Sequence, residues 1–297
     1  MDNFSNETYS SLIDDLICDS FYLEKRSLRG KIATLRQYSE IIIRKIFNLP
    51  ETEKVTLGRI SNLVKQRNNS LLKESIETIR IKGNDNTHTQ KTDEPTEQDF
   101  NEVIEALINL YAYLFIAYFE KNRFGSNSNI TRTFSLLPPI IRYKVLHNLY
   151  KNDKSNCVII DKLVLATIKA KDKNAALDWI NREKTSLQKI SHLSKEDKVL
   201  LSQLGDKYLD IIPQNMYDYS KEKIEQISEL LDSKGVLYKN FEEAKDFYEK
   251  NGYIEESSDE IKEFNSIMKF CYIGRKKFPC SKDSNSYHIA NLTFLNP

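Results

Sequence analysis

The sequence predicts an all-α protein, with an N-terminal helical bundle followed by a second helical lobe. Three observations lead there. Apolar residues recur at steps of three and four along most of the chain, the pattern of helices with one buried face. Eight Gly and seven Pro are few for 297 residues, whereas strand-rich folds use both at their turns. A hydrophobic share of 40% against 29% charged residues is the balance of a chain that buries a core. Single cores rarely grow past roughly 250 residues. Two units are therefore expected, 1–125 and 130–297, divided at the polar Gly125-Ser-Asn-Ser-Asn129 segment.

Leu23 to Phe47 reads as one long amphipathic helix with Leu28, Ile32, Leu35, Ile42 and Ile46 inward, ended by Leu49-Pro50. Thr56 is placed as the cap of a short helix, 57–66. A third helix runs from Leu71 to about Ile81 and buries Leu72, Ile76 and Ile79. The polar stretch Gly83 to Glu97 reads as a loop, or as a helix end followed by a loop. The most apolar helix follows, Gln98 to Glu120, with an apolar arc wide enough for a central position or a subunit interface. Later helices are expected near 140–150, 157–169, 174–190, 195–212, 219–232, 241–251 and 259–270. The tail Tyr287 to Leu295 alternates weakly and is expected to add a short strand. Residues 137–190 loosely resemble tetratricopeptide helix pairs, but no period of about 34 residues repeats.

Lys+Arg 44 against Asp+Glu 43 gives a formal charge of +1, which excludes a globally basic protein held to nucleic acid by charge alone. One local basic run exists: Lys25 to Lys45 carries seven basic residues against one acid, Glu40. It reads as a solvated helix face or an RNA track, in which Arg29 and Arg36, together with Lys82, are the candidate RNA contacts. The four cysteines are scattered without C-x-x-C, and Met1 to Ser11 lacks the features of a signal peptide, so a cytoplasmic chain with reduced thiols is expected. The apolar stretch Leu107 to Phe119 is too short to span a bilayer, and no membrane partner is expected. No histidine has a second ligand at metal spacing, and Cys271, Cys280 and His288 lack a fourth ligand, so no metal site is assigned. The absence of P-loop, G-x-G-x-x-G and G-x-S-x-G patterns leaves no support for ATP-driven or acyl-transfer chemistry, and no cofactor is expected.

Polar specificity concentrates in Arg80-Ile-Lys-Gly-Asn-Asp-Asn-Thr-His88. Arg80, Asn84 and His88 follow at intervals of four, which puts them on one stripe if the helix continues. A guanidinium grips phosphate oxygens with two donors, an imidazole titrates near neutrality, and an amide orients either. The structural alternative pairs Arg80 with an acid, uses Asn84 beside Gly83 as a helix cap and leaves His88 in a solvated loop.

The succession Leu35-Arg-x-x-x-Glu40, Thr56-Leu-Gly, Ile79-Arg-x-x-Gly-Asn-x-x-x-His88, a polar loop and a Tyr/Phe-rich helix resembles a prokaryotic branch of the HEPN superfamily. The likeness spans residues 20–121. It implies a homodimeric bundle in which an Arg and a His from each subunit face one another and cut RNA without metal. On that likeness His88 assists attack of a ribose 2′-OH, Arg80 stabilises the phosphorane, and Asn84 holds His88 or the phosphate. The interval between Arg80 and His88 is longer than in the best-known catalytic signature. The expected function is a metal-independent endoribonuclease acting as a toxin or anti-phage, abortive-infection effector, with a protein partner at the C-terminal lobe. The alternatives are a non-catalytic dimeric adaptor or nucleic-acid-binding subunit of a defence or restriction complex, and a scaffold with a peptide groove.

Overall fold

Side-chain caps decide where most helices begin. The computed structural model describes residues 3–23, 25–58, 60–88, 92–204, 212–255 and 258–276; among them are 14 α-helices, one π-helical turn and no strand. Helix α1 spans Asn6–Ile17, capped by Ser5, whose side chain accepts from the Thr8 N–H at 3.2 Å. Sequence periodicity missed it, because its buried set is only Ile13, Leu16 and Ile17 at its far end. A π-helical turn, Cys18–Tyr22, follows and carries Phe21 into the core.

Helix α2, Leu28–Phe47, starts at Leu28 rather than Leu23, because Ser27 Oγ accepts from Gly30 N at 3.2 Å and fixes the first turn there. It ends at Asn48, which takes the left-handed conformation (φ 51°) just ahead of Leu49-Pro50. The helix expected at 57–66 is shorter, α3 at Ser61–Arg67, and Thr56 does not cap it. Leu57 and Ile60 still point inward, from the turn before it. Helix α4 spans Ser70–Thr87, six residues past Ile81. Helix α5, Glu97–Lys121, opens on a reciprocal capping box between Thr96 and Asp99.

Two short or split elements depart from the expectation. Helix α6, Ser128–Phe134, was not anticipated; Asn127 caps it. The helix expected at 174–190 breaks at Glu183 into α9, Lys173–Arg182, and α10, Lys184–Leu187, where Glu183 leaves helical geometry and its carboxylate accepts from Tyr150 Oη at 2.8 Å. The others are α7 (Pro139–Asn152), α8 (Cys157–Ala170), α11 (Lys195–Leu204), α12 (Met216–Lys234), α13 (Phe241–Asn251) and α14 (Asp259–Tyr272). The strand expected at 287–295, with Cys280 and His288, lies outside the described residues, as do 205–211 of the helix expected at 195–212.

Helix α5 is the axis of the molecule. It packs against α2, α4, α7 and α14, and fifteen of its side chains are buried. By length and composition it is apolar enough to cross a membrane, yet 78% of that window is buried inside the structure. Its wide apolar arc is thus filled by the chain's own helices. At its C-terminal end, Phe115, Phe119, Phe124, Phe134 and Phe264 meet largely edge to face, with centroids 4.8 Å apart for Phe119–Phe124 and 5.4 Å for Phe119–Phe134. Each such pair contributes about 0.5–1.5 kcal/mol beyond area burial. Phe124 and Phe134 flank the Gly125–Asn129 segment, and the buried apolar residues on its two sides form one continuous core from Phe4 to Tyr272.

Candidate functional site

Helix α4 presents the predicted residues. Asn69 caps it, accepting from Leu72 N at 3.1 Å, and Leu72, Ser75, Ile76, Ile79 and Gly83 form its buried stripe against α2 and α5. The helix continues through Gly83, and close packing explains the glycine. A Cβ there would lie 2.5 Å from Arg36 Cδ and 3.0 Å from Arg36 Cβ, so α2 and α4 approach only because no side chain intervenes. Arg36 then runs along α4 and donates from Nη1 to Thr87 Oγ1 at 2.8 Å, setting a cation at the helix C-terminus.

The opposite side of α4 faces solvent, with Glu77 and His88 exposed and Arg80 and Asn84 half-buried. Arg80 is gripped by Glu77 through two bonds, Nε to Oε2 at 2.9 Å and Nη2 to Oε1 at 2.6 Å. That contact holds the Glu77 carboxyl below its ordinary range. The guanidinium therefore leans toward the helix N-terminus, as α-helical side chains do. His88 is the C-cap residue; its N–H donates to Asn84 O at 3.1 Å, and its backbone (φ −100°, ψ 142°) has left the helix. The Asn84 and His88 side chains make no hydrogen bond to any described residue. Seven residues of helix separate Arg80 from His88, and the eight steps amount to about 12 Å of rise. Within one chain the three residues share a side of α4 but do not converge.

The predicted RNA contacts all have intramolecular partners. Lys82 is held between Asp99 and Glu102, the latter at 2.9 Å, and ties α4 to the first turns of α5. Chiefly through that Lys82 bond, and then through the Thr96 N–H, the Asp99 carboxyl is drawn well below the carboxylate range. Arg29 donates to the Asp93 carbonyl at 2.6 Å and braces the segment before α5. Across the basic run, Arg26 meets Asp19 and Thr34, Arg44 caps the Pro50 and Glu53 carbonyls, and Lys45 reaches Ser266 Oγ at 2.7 Å. Lys31 lies 5.9 Å from the Phe100 ring centroid, which leaves Lys25 exposed at the run's start. Most of these cations fasten helices to one another.

A cleft of about 510 Å³ between α4 and α5 is lined by Glu74, Glu102 and Glu105 among uncharged polar residues. Its carboxylates oppose a phosphate backbone. Sequence reasoning missed the Arg36–Gly83–Thr87 junction and the Lys82–Asp99–Glu102 tie; the one local signal was a glycine inside an apolar helical period. Among the described residues no cluster of three or more His, Cys, Asp or Glu is placed to hold a metal ion.

Fold and site together define an all-α protein with a solvent-facing Arg/Asn/His stripe on its fourth helix. No family model matches the chain, and no curated protein or solved structure matches it.

Proposed function

We propose that this chain is a HEPN-like, metal-independent endoribonuclease that works as a homodimer, as a cytoplasmic toxin or anti-phage effector. The observation that carries the reading is the unbroken run of α4 from Ser70 to Thr87. It brings Arg80 and Asn84 to one solvent-facing side and ends on the exposed imidazole of His88. His88 takes the proton of a ribose 2′-OH as that oxygen bonds to the adjacent phosphorus, and Arg80 stabilises charge on the phosphorane. The P–O5′ bond then breaks to give a 2′,3′-cyclic phosphate and a 5′-hydroxyl protonated from water. The Arg80–Glu77 pair is solvent-exposed and worth about 0–1 kcal/mol, so a phosphate displaces Glu77 at little cost. Because Arg80 and His88 of one chain stand two turns apart, a second copy supplies the facing half of the site.

The test is cellular and chemical. Expression of the wild-type chain should arrest growth and degrade RNA, with purified protein retaining cleavage in excess chelator. His88→Ala should lower cleavage by about 10²–10⁴-fold. RNA left intact by the purified wild-type protein under activating conditions, with toxicity unrelieved by His88→Ala, would reject the enzyme. A second reading, a non-catalytic dimeric adaptor of a defence complex, is favoured by the two-point grip of Glu77 on Arg80. It predicts salt-dependent nucleic-acid binding unchanged in His88→Ala and no cleavage by either form.

A further inference from the structure

Apart from α4's motif, and sharing no residue with it, helix α1, helix α13 and the end of α14 line a cleft of about 450 Å³, within the usual range of ligand sites. Gly274 shapes it. With φ +76° and a would-be Cβ 3.0 Å from Ile17 and 3.2 Å from the Ile13 carbonyl, only glycine fits this turn. The turn sends Arg275 into the core and Lys276 outward to Asp14 at 2.7 Å.

The floor is aromatic: Tyr248 and Tyr272 stack with centroids 5.2 Å apart, and both rings are buried. Tyr272 donates to the Leu136 carbonyl at 3.0 Å. Tyr248 is 5% exposed and its hydroxyl has no hydrogen-bond partner, an uncommon state for a buried polar group. Burial, and then the nearby Cys271, push that phenol above its ordinary range. On the rim stands Tyr253, 58% exposed, with the Lys269 ammonium 5.1 Å from its ring centroid.

Three ammonium groups line the cleft. Lys276 is neutralised by Asp14, and Lys245 donates to the Arg275 carbonyl at 2.9 Å with Glu249 at 3.6 Å. Lys269 has no ion pair with any described residue. An aromatic floor, an exposed ring and a cation without an ion pair that lies over that ring are the complement of a flat aromatic base joined to a phosphate. The geometry points to a nucleotide site in this cleft: the base stacks on Tyr253 and Lys269 takes the phosphate. The source is a free nucleotide or the phosphorylated end of a strand. None of its residues belongs to α4, so the site stands whether or not the chain cleaves RNA.

Calorimetric titration of the full chain at low salt tests this with four probes: AMP, ATP, and a 5′-phosphorylated tetranucleotide with its unphosphorylated twin. Saturable one-to-one binding of a phosphorylated probe is expected. Lys269→Ala and Tyr253→Ala should each weaken it about tenfold, the size of one base-stacking contact. Both residues lie at the surface, so the melting temperature should not move. Tighter binding of AMP or ATP than of the oligonucleotide marks a free nucleotide as the ligand, and the reverse order marks a strand end. Absence of saturable binding to every probe, equal affinity for the tetranucleotide with and without its phosphate, or binding untouched by both substitutions would overturn the assignment.

Discussion

Arg80 and Lys82 are two residues apart in α4 and are held in different ways. Arg80 lies along the exposed helix surface against one acid, while Lys82 bridges to two acids of another helix at about one quarter exposure. The first contact is a surface pair screened by solvent; the second ties two helices together. His147 shows how burial acts on a titrating group with no role in the candidate site. Half-buried in α7 and flanked by Lys151, Lys171 and Arg182, it is held below the ordinary imidazole value of 6.5, first by burial and then by those cations. A depressed folded-state value means that the unfolded chain binds the proton more readily. Its contribution to stability is therefore full above 6.5 and is lost as the pH falls through the folded value. His147→Gln should flatten the decline in melting temperature as the pH falls below 6.5, a window set apart from the more acidic one of Asp99. An identical decline in both proteins would sink this assignment.

Helix α4 illustrates what a period can and cannot predict. Leu72, Ile76 and Ile79 were legible as a buried stripe, and the same stripe continues to Gly83. Its continuation was hidden because glycine reads as a helix breaker, whereas here the missing Cβ admits the Arg36 side chain. In an open helix Gly83→Ala would stabilise by about 1 kcal/mol. Here the new methyl meets Arg36 near its backbone as well as along its stem, and overpacking costs about 1–3 kcal/mol. Urea titration should show Gly83→Ala less stable than wild type. Gly83→Ala with Arg36→Ala should recover part of the loss, since the clash is with that side chain. A stabilised Gly83→Ala single variant would mean that the helices are not in close contact. The C-terminal end of α2 was legible for the opposite reason, because Pro50 acts locally.

Across the whole molecule, the C-terminal segment is locked to the N-terminal helices by a buried cation. Arg275 is 1% exposed and lies between the rings of Phe21 and Phe241, 4.6 and 4.4 Å from their centroids. None of its guanidinium nitrogens reaches a hydrogen-bond acceptor among the described residues. Burial opposes its charge, yet the oxygens of Tyr111, Tyr22 and Glu242 outweigh that and keep it protonated. Glu242 is also buried and accepts from Tyr22. Arg275→Ala strands this carboxylate and vacates the space between two rings, so a loss of about 3–5 kcal/mol is expected in urea unfolding. Arg275→Met with Glu242→Gln fills the space without a charge and should cost less than the single alanine change. A double variant as unstable as Arg275→Ala would show that neither the stranded carboxylate nor the vacated space accounts for the loss.

The amino-acid sequence by itself determined the helical class, the positions of the central helices and the stripe that Arg80 and Asn84 share on α4, because apolar period and capping chemistry act over a few residues. The tertiary structure alone decided which cations are available and which are bound. A guanidinium is committed or open according to the neighbours that packing brings to it, from Thr87 beside Arg36 to the rings around Arg275. Those neighbours lie 51 residues away in the first case and more than 200 in the case of Phe21, a range over which no local pattern carries information.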